Sequence, residues 1–423
     1  MTYDVIIIGG GPSGLMCAIA ASTRGAQTLL VDKGNKLGRK LGISGGGRCN
    51  VTNNKEPAEL IRNIPGNGKF LYGALTEFGS REIIAFFTGL GIQLKEEDRG
   101  RMFPASDKAK TVVNALIAQV RRQHVDIRIN EPVEKVLYRA GRTAGIRLKS
   151  GEEIAGRCVV IATGGKSVPQ TGSTGDGYQW AIDAGHTITE LYPTEVPITS
   201  ADAFIRSKQL QGLSLRNIVL TVWNSKGKKV VAHEGDILFT HFGLSGPAAL
   251  RCSQFVVKEL RQSAARTVKL TIDLFPEKNA ELVYAETLRF AKEEAKKTSK
   301  NVLKSWLPER LAPVLLQMAG ISPETTLANL RKQSLQELSR LLKAFPVQAN
   351  GTLSIEEAFV TGGGVDLKEV DPKTMQSKLV SGLFFCGEVL DVHGYTGGYN
   401  ITAAFSTGHM AGKSAARLCG LCQ

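Results

Sequence analysis

The stretch Val5-Ile-Ile-Ile-Gly-Gly-Gly-Pro-Ser-Gly14 decides the fold. Four β-branched apolar residues in a row have the texture of a strand in a parallel sheet, where burial on both faces removes the usual alternation. The next six residues match GxGxxG, with glycines at 9, 11 and 14. There the missing side chain permits a tight turn, a close approach of backbone to a pyrophosphate, and close packing of helix on strand. Leu15 to Ser22 is predicted as a helix whose first amides and dipole point at the phosphates. Thr28 to Val31 returns as a second strand ending in Asp32, eighteen residues after Gly14, where a carboxylate accepts hydrogen bonds from a ribose. Strand, glycines, helix, strand and acid in this order specify a dinucleotide-binding unit, with Pro12, Ser13 and Lys33 beside the same ligand.

The residues beyond Asp32 and Lys33 distinguish the dinucleotide. Instead of running on into more sheet, the chain enters Gly34 to Asn53, read as a loop with six glycines and four basic residues. Such a loop lets backbone wrap a long cofactor closely, which extended FAD needs and NAD does not. Lys40, Ser44, Gly45, Gly46, Gly47, Arg48, Cys49 and Asn50 are its candidate contacts. Val159 to Gly165 reads as a buried strand ending in a small-residue turn, with Ala162, Thr163 and Gly164 beneath the cofactor. Gly382 to Glu388 repeats the pattern, placing Gly387 and Glu388 near the ribityl chain. His393-Gly-Tyr-Thr-Gly-Gly-Tyr-Asn-Ile401 then opens an Ala-rich helix, Thr402 to Ala416, and Gly397, Gly398, Tyr399, Asn400 and Ile401 offer amides and a positive dipole end to the pyrimidine edge of a flavin. Val133 completes the cofactor candidates. Gly172 to Gly177 lacks the Lys-Ser/Thr ending of a phosphate loop and is read as a turn.

A chain of 423 residues exceeds one ordinary core, so two or three domains are expected. No apolar run reaches the roughly 18 to 20 residues of a membrane-spanning helix, and Val5 to Ile8 reads as a strand and not as a signal peptide, which predicts a cytoplasmic protein without membrane contact. Seven cysteines, at 17, 49, 158, 252, 386, 419 and 422, show no metal-ligand rhythm and read as reduced thiols. Cys419 and Cys422 form a CxxC with no partner pair. No metal site is expected.

GGGPSG, KLGRKLGISGGGRCNVTN, ATGGKSVPQTGSTGDGY, LFTHFGLSGPA, EAFVTGGGV and CGEVLDVHGYTGGYN together resemble the BaiN/YhiN-like flavoproteins (the aminoacetone oxidase family) of the glutathione-reductase-like superfamily, over essentially the whole chain. The resemblance implies an α/β fold, a Rossmann-like FAD-binding domain split in sequence with a β-rich and a helical insertion between its halves. The division expected is 1–195 and 351–423 for the FAD domain, 196–275 for the β-rich insert and 276–350 for the helical one. It also implies one of three activities: reduction of uridine to dihydrouridine in large-subunit (23S) ribosomal RNA, oxidation of a small amine such as aminoacetone, or a bile-acid-pathway redox step.

Charge separates these. The formal net charge is +14, and residues 196–350 hold 23 Lys plus Arg against 13 Asp plus Glu, or +10 of it. Neutralising several phosphates calls for such a lobe, whereas a small amine or steroid does not. Within it Lys292 to Arg310 combines many lysines with Trp306, readable either as a solvated helix face or as a phosphate footprint. No second GxGxxG is followed by a helix, so NAD(P)H is expected to reduce the flavin as a transient visitor. Uridine reduction requires hydride from flavin and a proton from a general acid. Cys49 beside Arg48 is the first candidate, with His393, Tyr395, Tyr399 and, from the insert, His241 as alternatives; Arg99 and Arg101 flank Gly100 as candidate substrate clamps.

Overall fold

The computed structural model describes residues 2–262 and 266–421. They divide into two compact units, residues 1–192 with 355–423, and residues 193–354.

In the first unit the β-branched run lies in strand Thr2–Ile8, with Val5, Ile6 and Ile7 fully buried. Burial of that kind contributes about 1.5–3 kcal/mol per side chain. The strand pairs in parallel with Thr28–Asp32 on one side and Glu153–Ile161 on the other, with Ile8 opposite both Val31 and Ile161. The sheet runs Asp126–Ile129, Thr28–Asp32, Thr2–Ile8, Glu153–Ile161, Arg142–Leu148, Val133–Arg139, and the short strand Leu383–Phe385 joins Glu153–Ile161 in parallel. The strands that end beneath the glycine motifs are therefore parallel neighbours, which brings their C-terminal ends to one edge.

Two helices cover one face. Pro12–Ser22 begins three residues earlier than its composition suggests, because Pro12 takes the first position, where a missing N–H costs nothing. Tyr399–Leu418 packs along it, and Gly408 and Gly412 explain how closely: a Cβ at Gly408 would collide with the Ser13 carbonyl oxygen, and one at Gly412 with that of Cys17.

The segment read as a loop from Gly34 contains a helix, Arg39–Gly47, which breaks at Ser44. Gly45, Gly46 and Gly47 follow at φ +57°, +68° and +85°, a left-handed run that only glycine adopts cheaply. A three-stranded sheet without a sequence signal, Thr52–Asn53, Arg101–Pro104 and Leu94–Glu97, lies behind this run.

The second unit is built on a closed barrel in the order Ile198–Ser200, Gly243–Ser245, Lys229–Phe239, Ser214–Trp223, Val268–Asp273, Phe345–Thr352. Helices Pro247–Gln262, Ala280–Glu293, Ser299–Leu303, Leu311–Met318 and Lys332–Lys343 accompany it. Barrel residues such as Leu220 and Phe345 and helix residues such as Leu311, Leu315 and Leu341 share one buried cluster. The β-rich and helical stretches thus form one core within this unit, because the barrel supplies the apolar surface that the short helices lack. No described helix is long and apolar enough to cross a membrane, and no group of three or more metal-ligating side chains occurs among the described residues.

Candidate functional site

A cavity of about 960 Å³ opens in the first unit, at the upper end of the roughly 300–1,000 Å³ of small-molecule and cofactor sites. Of the cofactor candidates, Gly9, Gly11, Pro12, Ser13, Asp32, Lys33, Lys40, Ser44, Gly45, Gly46, Arg48, Asn50, Val133, Ala162, Thr163, Gly164, Gly387, Glu388, Gly397, Gly398, Asn400 and Ile401 line it. Gly14, Gly47, Cys49 and Tyr399 do not. Gly14 instead serves packing, since a Cβ there would overlap the Gly9 carbonyl oxygen.

Gly11 is the opposite case. Its backbone is extended (φ −76°, ψ −174°), a conformation open to any residue, and a Cβ would meet nothing within 4 Å. Neither strain nor protein packing demands glycine at 11, so the space beside it on the cavity wall is what a pyrophosphate needs. Helices Pro12–Ser22 and Tyr399–Leu418 both start at this cavity without a capping side chain, leaving their first amides and positive dipole ends available to an anion.

Asp32 sits where a ribose acceptor belongs, and it also shapes the turn: its two oxygens accept hydrogen bonds from the Gly10 and Gly34 amides, each at 2.7 Å. Lys33 is held by Asp176 at 2.6 Å. Glu388 gathers three segments, accepting from Lys40 Nζ at 2.7 Å, Ser167 Oγ at 3.1 Å and the Thr361 amide at 2.8 Å. Lys40 Nζ also donates to Ser167 Oγ at 2.9 Å. The N-terminal and C-terminal glycine segments meet directly as well, with Asn53 Nδ2 donating to the Gly397 carbonyl at 3.0 Å and the Thr52 and Thr402 hydroxyls 2.8 Å apart.

Around Ser44 to Asn50 the side chains divide their work. Arg48 stacks its guanidinium 4.2 Å from the Phe103 ring centroid and pairs with Glu97 and Asp107; it holds the Glu97 carboxyl below its usual range, Lys95 and then Arg48 do the same for Asp107, and the pKa of Arg48 itself rises. Its charge is therefore committed to carboxylates, and it does not activate the neighbouring thiol. Cys49 is fully buried at φ +62°, and burial pushes its thiol up to about 12 against a smaller lowering by the Ser44 hydrogen bond. That is a protonated, packed residue under the cavity wall.

The other acid candidates scatter. His393 is buried, with Nε2 2.9 Å from the Tyr192 hydroxyl and its ring filling the space beside Gly66, where a Cβ would collide with it. Tyr399 is buried beside Gly397. His241 belongs to the barrel unit, exposed and edge-on to Phe242. Tyr395 does line the cavity. Arg99 takes a left-handed turn (φ +63°) and is exposed off the cavity wall, whereas Arg101 lines it, its guanidinium donating from Nε to the Asp98 carbonyl at 3.1 Å, approaching Glu97 at 3.9 Å and lying 5.5 Å from the Phe103 ring centroid. Phe103, Trp180 and Phe359 also line the cavity and carried no sequence signal, since a lone aromatic without a motif around it reads as ordinary packing. Cys419 lies with its sulfur 3.6 Å from that of Cys158; Cys422, its CxxC partner, falls outside the described residues.

These features fit a flavin dinucleotide: an uncrowded pyrophosphate glycine, two uncapped helix starts and a ribose-side acid on one cavity. Comparison with known proteins agrees. The model of the HI0933-like protein Rossmann domain matches residues 3–414. A 3-dehydro-bile acid delta(4,6)-reductase of Clostridium scindens is 31% identical, covering 97% of this chain and 98% of its own. A ribosomal RNA dihydrouridine synthase of Escherichia coli K12 is 34% identical, covering 96% of each. Among solved structures, a 3-ketosteroid-delta4-(5alpha)-dehydrogenase from Rhodococcus jostii shares the fold at a TM-score of 0.53 and 17% identity, over 98% of this chain and 97% of that one. Cavity, motif order and full-length similarity place the chain in the HI0933-like family.

Proposed function

We propose that this protein reduces a uridine of large-subunit ribosomal RNA to dihydrouridine in the cytoplasm, holding FAD as resident cofactor and taking electrons from NAD(P)H. The observation that carries the reading is the full-length relative at 34% identity whose name is ribosomal RNA dihydrouridine synthase. The +10 charge of residues 196–350 favours it over a steroid substrate, because phosphate neutralisation is what a cationic lobe supplies.

When bound and reduced, the flavin supplies the hydride that adds to C6 of the base. The chain's residues do the remaining work. Gly11, Ser13 and the start of Pro12–Ser22 hold the pyrophosphate, and the amides of Gly398 to Ile401 steady the pyrimidine edge of the ring. The Lys40–Glu388 pair fixes the middle of the cavity wall. Arg101, weakly engaged and on the wall, meets a phosphate flanking the target base, which must leave its stack at a cost of a few kcal/mol. Of Cys49, His393, Tyr395 and Tyr399, only Tyr395 lines the cavity, so Tyr395 is assigned delivery of the proton to C5.

The second reading, reduction of a small unsaturated molecule, is supported by the bile-acid reductase relative at 31% identity. Purified FAD-loaded protein incubated with NADPH and unmodified large-subunit rRNA, or with a 3-oxo-Δ4,6 steroid, separates the two. Dihydrouridine by nucleoside mass spectrometry is expected; rapid steroid reduction with unchanged RNA would transfer the assignment.

A further inference from the structure

Trp306, the aromatic that the sequence offers for base stacking, is packed edge-on against Phe290 at 4.2 Å and lies against the core of its unit. Its neighbours Lys297 and Lys304 are paired with Glu294 and Glu309 at 2.8 and 2.5 Å. With Trp306 packed inward, the stretch keeps its exposed lysines Lys292 and Lys296 but offers no outward Trp306 ring beside them, so a surface that combines an accessible ring with unpaired lysines has to be sought elsewhere in the unit.

It occurs at one end of the barrel. Strands Ser214–Trp223 and Lys229–Phe239 form a hairpin whose turn is pinned by the Asn224 side chain, which accepts from the amides of Lys226 and Lys228 at 3.0 and 2.8 Å. Ile218, Leu220 and Val222 point into the barrel, which by strand alternation puts Trp223 on the outside. Trp223 is half-buried, with its ring edge tied down by a 2.9 Å hydrogen bond from Nε1 to Thr271 Oγ1 on the flanking strand. Lys229 stands opposite Trp223 on one side. On the other, the register that pairs Val222 with Leu270 brings Lys269 opposite it. Lys226, Lys228, Lys229 and Lys269 are all exposed, and no carboxylate among the described residues lies within 4.0 Å of their amines. A fixed indole flanked by two lysines in register, with two more in the adjoining turn, is the combination that binds single-stranded nucleic acid, where stacking tolerates any base and ammonium groups follow the backbone.

We infer that the hairpin end of the barrel, Trp223 with Lys226, Lys228, Lys229 and Lys269, is an RNA-docking surface that engages an unpaired segment of the substrate by base stacking and phosphate contacts. This role rests on the ribosomal RNA reading of the protein's function.

The test measures binding of FAD-loaded protein to a fluorescent 20-nucleotide oligouridylate across a salt series, for wild type, for K226Q/K228Q/K229Q, and for K292Q/K296Q/K300Q, which removes equal charge from the helical stretch. The hairpin variant is expected to bind about tenfold more weakly at 0.1 M salt with a salt slope shallower by about 2, following about 0.7 per phosphate contact on single strands. The helical variant is expected to stay within about twofold. RNA should quench tryptophan fluorescence in wild type and not in Trp223→Phe. Equal binding by wild type and hairpin variant, or equal loss in both triple variants, overturns the inference, as does equally strong competition by polyglutamate, which would make the surface a site for acidic protein. Dihydrouridine formation is scored separately. Hairpin-independent binding with dihydrouridine still formed removes the surface and leaves the reaction; hairpin-dependent binding with no dihydrouridine removes the reaction and leaves the surface.

Discussion

The ammonium of Lys40 lies 2.7 Å from the carboxylate of Glu388, joining the glycine-rich N-terminal segment to the strand end near the C-terminus, and both side chains are largely shielded from solvent. A hydrogen bond between charged groups in such a position contributes about 1.5–3 kcal/mol. Glu388→Ala leaves Lys40 with Ser167 but without its carboxylate, and the Thr361 amide without its acceptor on the cavity wall. FAD affinity of this variant, measured by equilibrium release of the yellow cofactor, is expected to fall about tenfold or more. Full retention of FAD at wild-type affinity would show that the pair does not organise the cavity.

Gly11 and Gly14 separate cofactor binding from folding. Gly11→Ala places a methyl in open space, so the apo protein should keep its melting temperature within about 2 °C while binding FAD at least tenfold more weakly. Gly14→Ala drives a methyl into the Gly9 carbonyl and should destabilise the fold itself by about 2–4 kcal/mol, within the range of severe overpacking. Differential scanning calorimetry of both apo variants reads the contrast; a Gly11→Ala protein that melts far below wild type would break it.

The assignment of the proton donor has an equally direct check. Tyr395→Phe should lower the rate of product formation by about 100-fold or more, the usual contribution of a positioned acid, with FAD content unchanged. Cys49→Ala, which removes a buried thiol, should cost about 1–2 kcal/mol of stability and change turnover less than about fivefold. The reverse ranking of the two variants in single-turnover assays would return the role to Cys49.

His409, on the C-terminal helix and stacked 4.3 Å from Phe78, has its pKa lowered to about 4, chiefly by burial. Between about 6.5 and 4 the unfolded chain takes a proton on this residue that the folded chain refuses, so stability falls as pH falls through that window and levels off below it. His409→Gln should flatten that part of the stability curve by on the order of 2 kcal/mol. Urea melts at pH 7 and pH 4.5 compare the two slopes, and parallel curves would deny His409 a part in acid sensitivity.

The portions legible in the sequence are those encoded locally. Val5 to Gly14 announces strand, turn and helix because β-branched burial and glycine spacing act within ten residues, and Asp32 and Gly397 to Ile401 follow from fixed distances to such elements. The partnerships of the site are not local. Arg48 has the sequence position of a tuner of Cys49, yet folding brings Glu97 and Asp107 to it from some 50 residues away, on and beside a small sheet with little apolar alternation to betray it. Trp306 and Trp223 are alike in their lysine-rich surroundings, and only the alternation around a closed barrel and the packing of its helices send one inward and leave the other outside. Glycine at 408 and 412 reads as helix weakness in one dimension and becomes a helix-crossing surface in three.

The most direct measurement is the dihydrouridine content of large-subunit rRNA from cells lacking this gene, read by nuclease digestion and mass spectrometry, with complementation by wild type or Gly11→Ala. The account predicts that one dihydrouridine disappears on deletion, returns with wild type, and stays absent with the variant that folds but cannot hold FAD. An unchanged nucleoside profile in the deleted cells would contradict it.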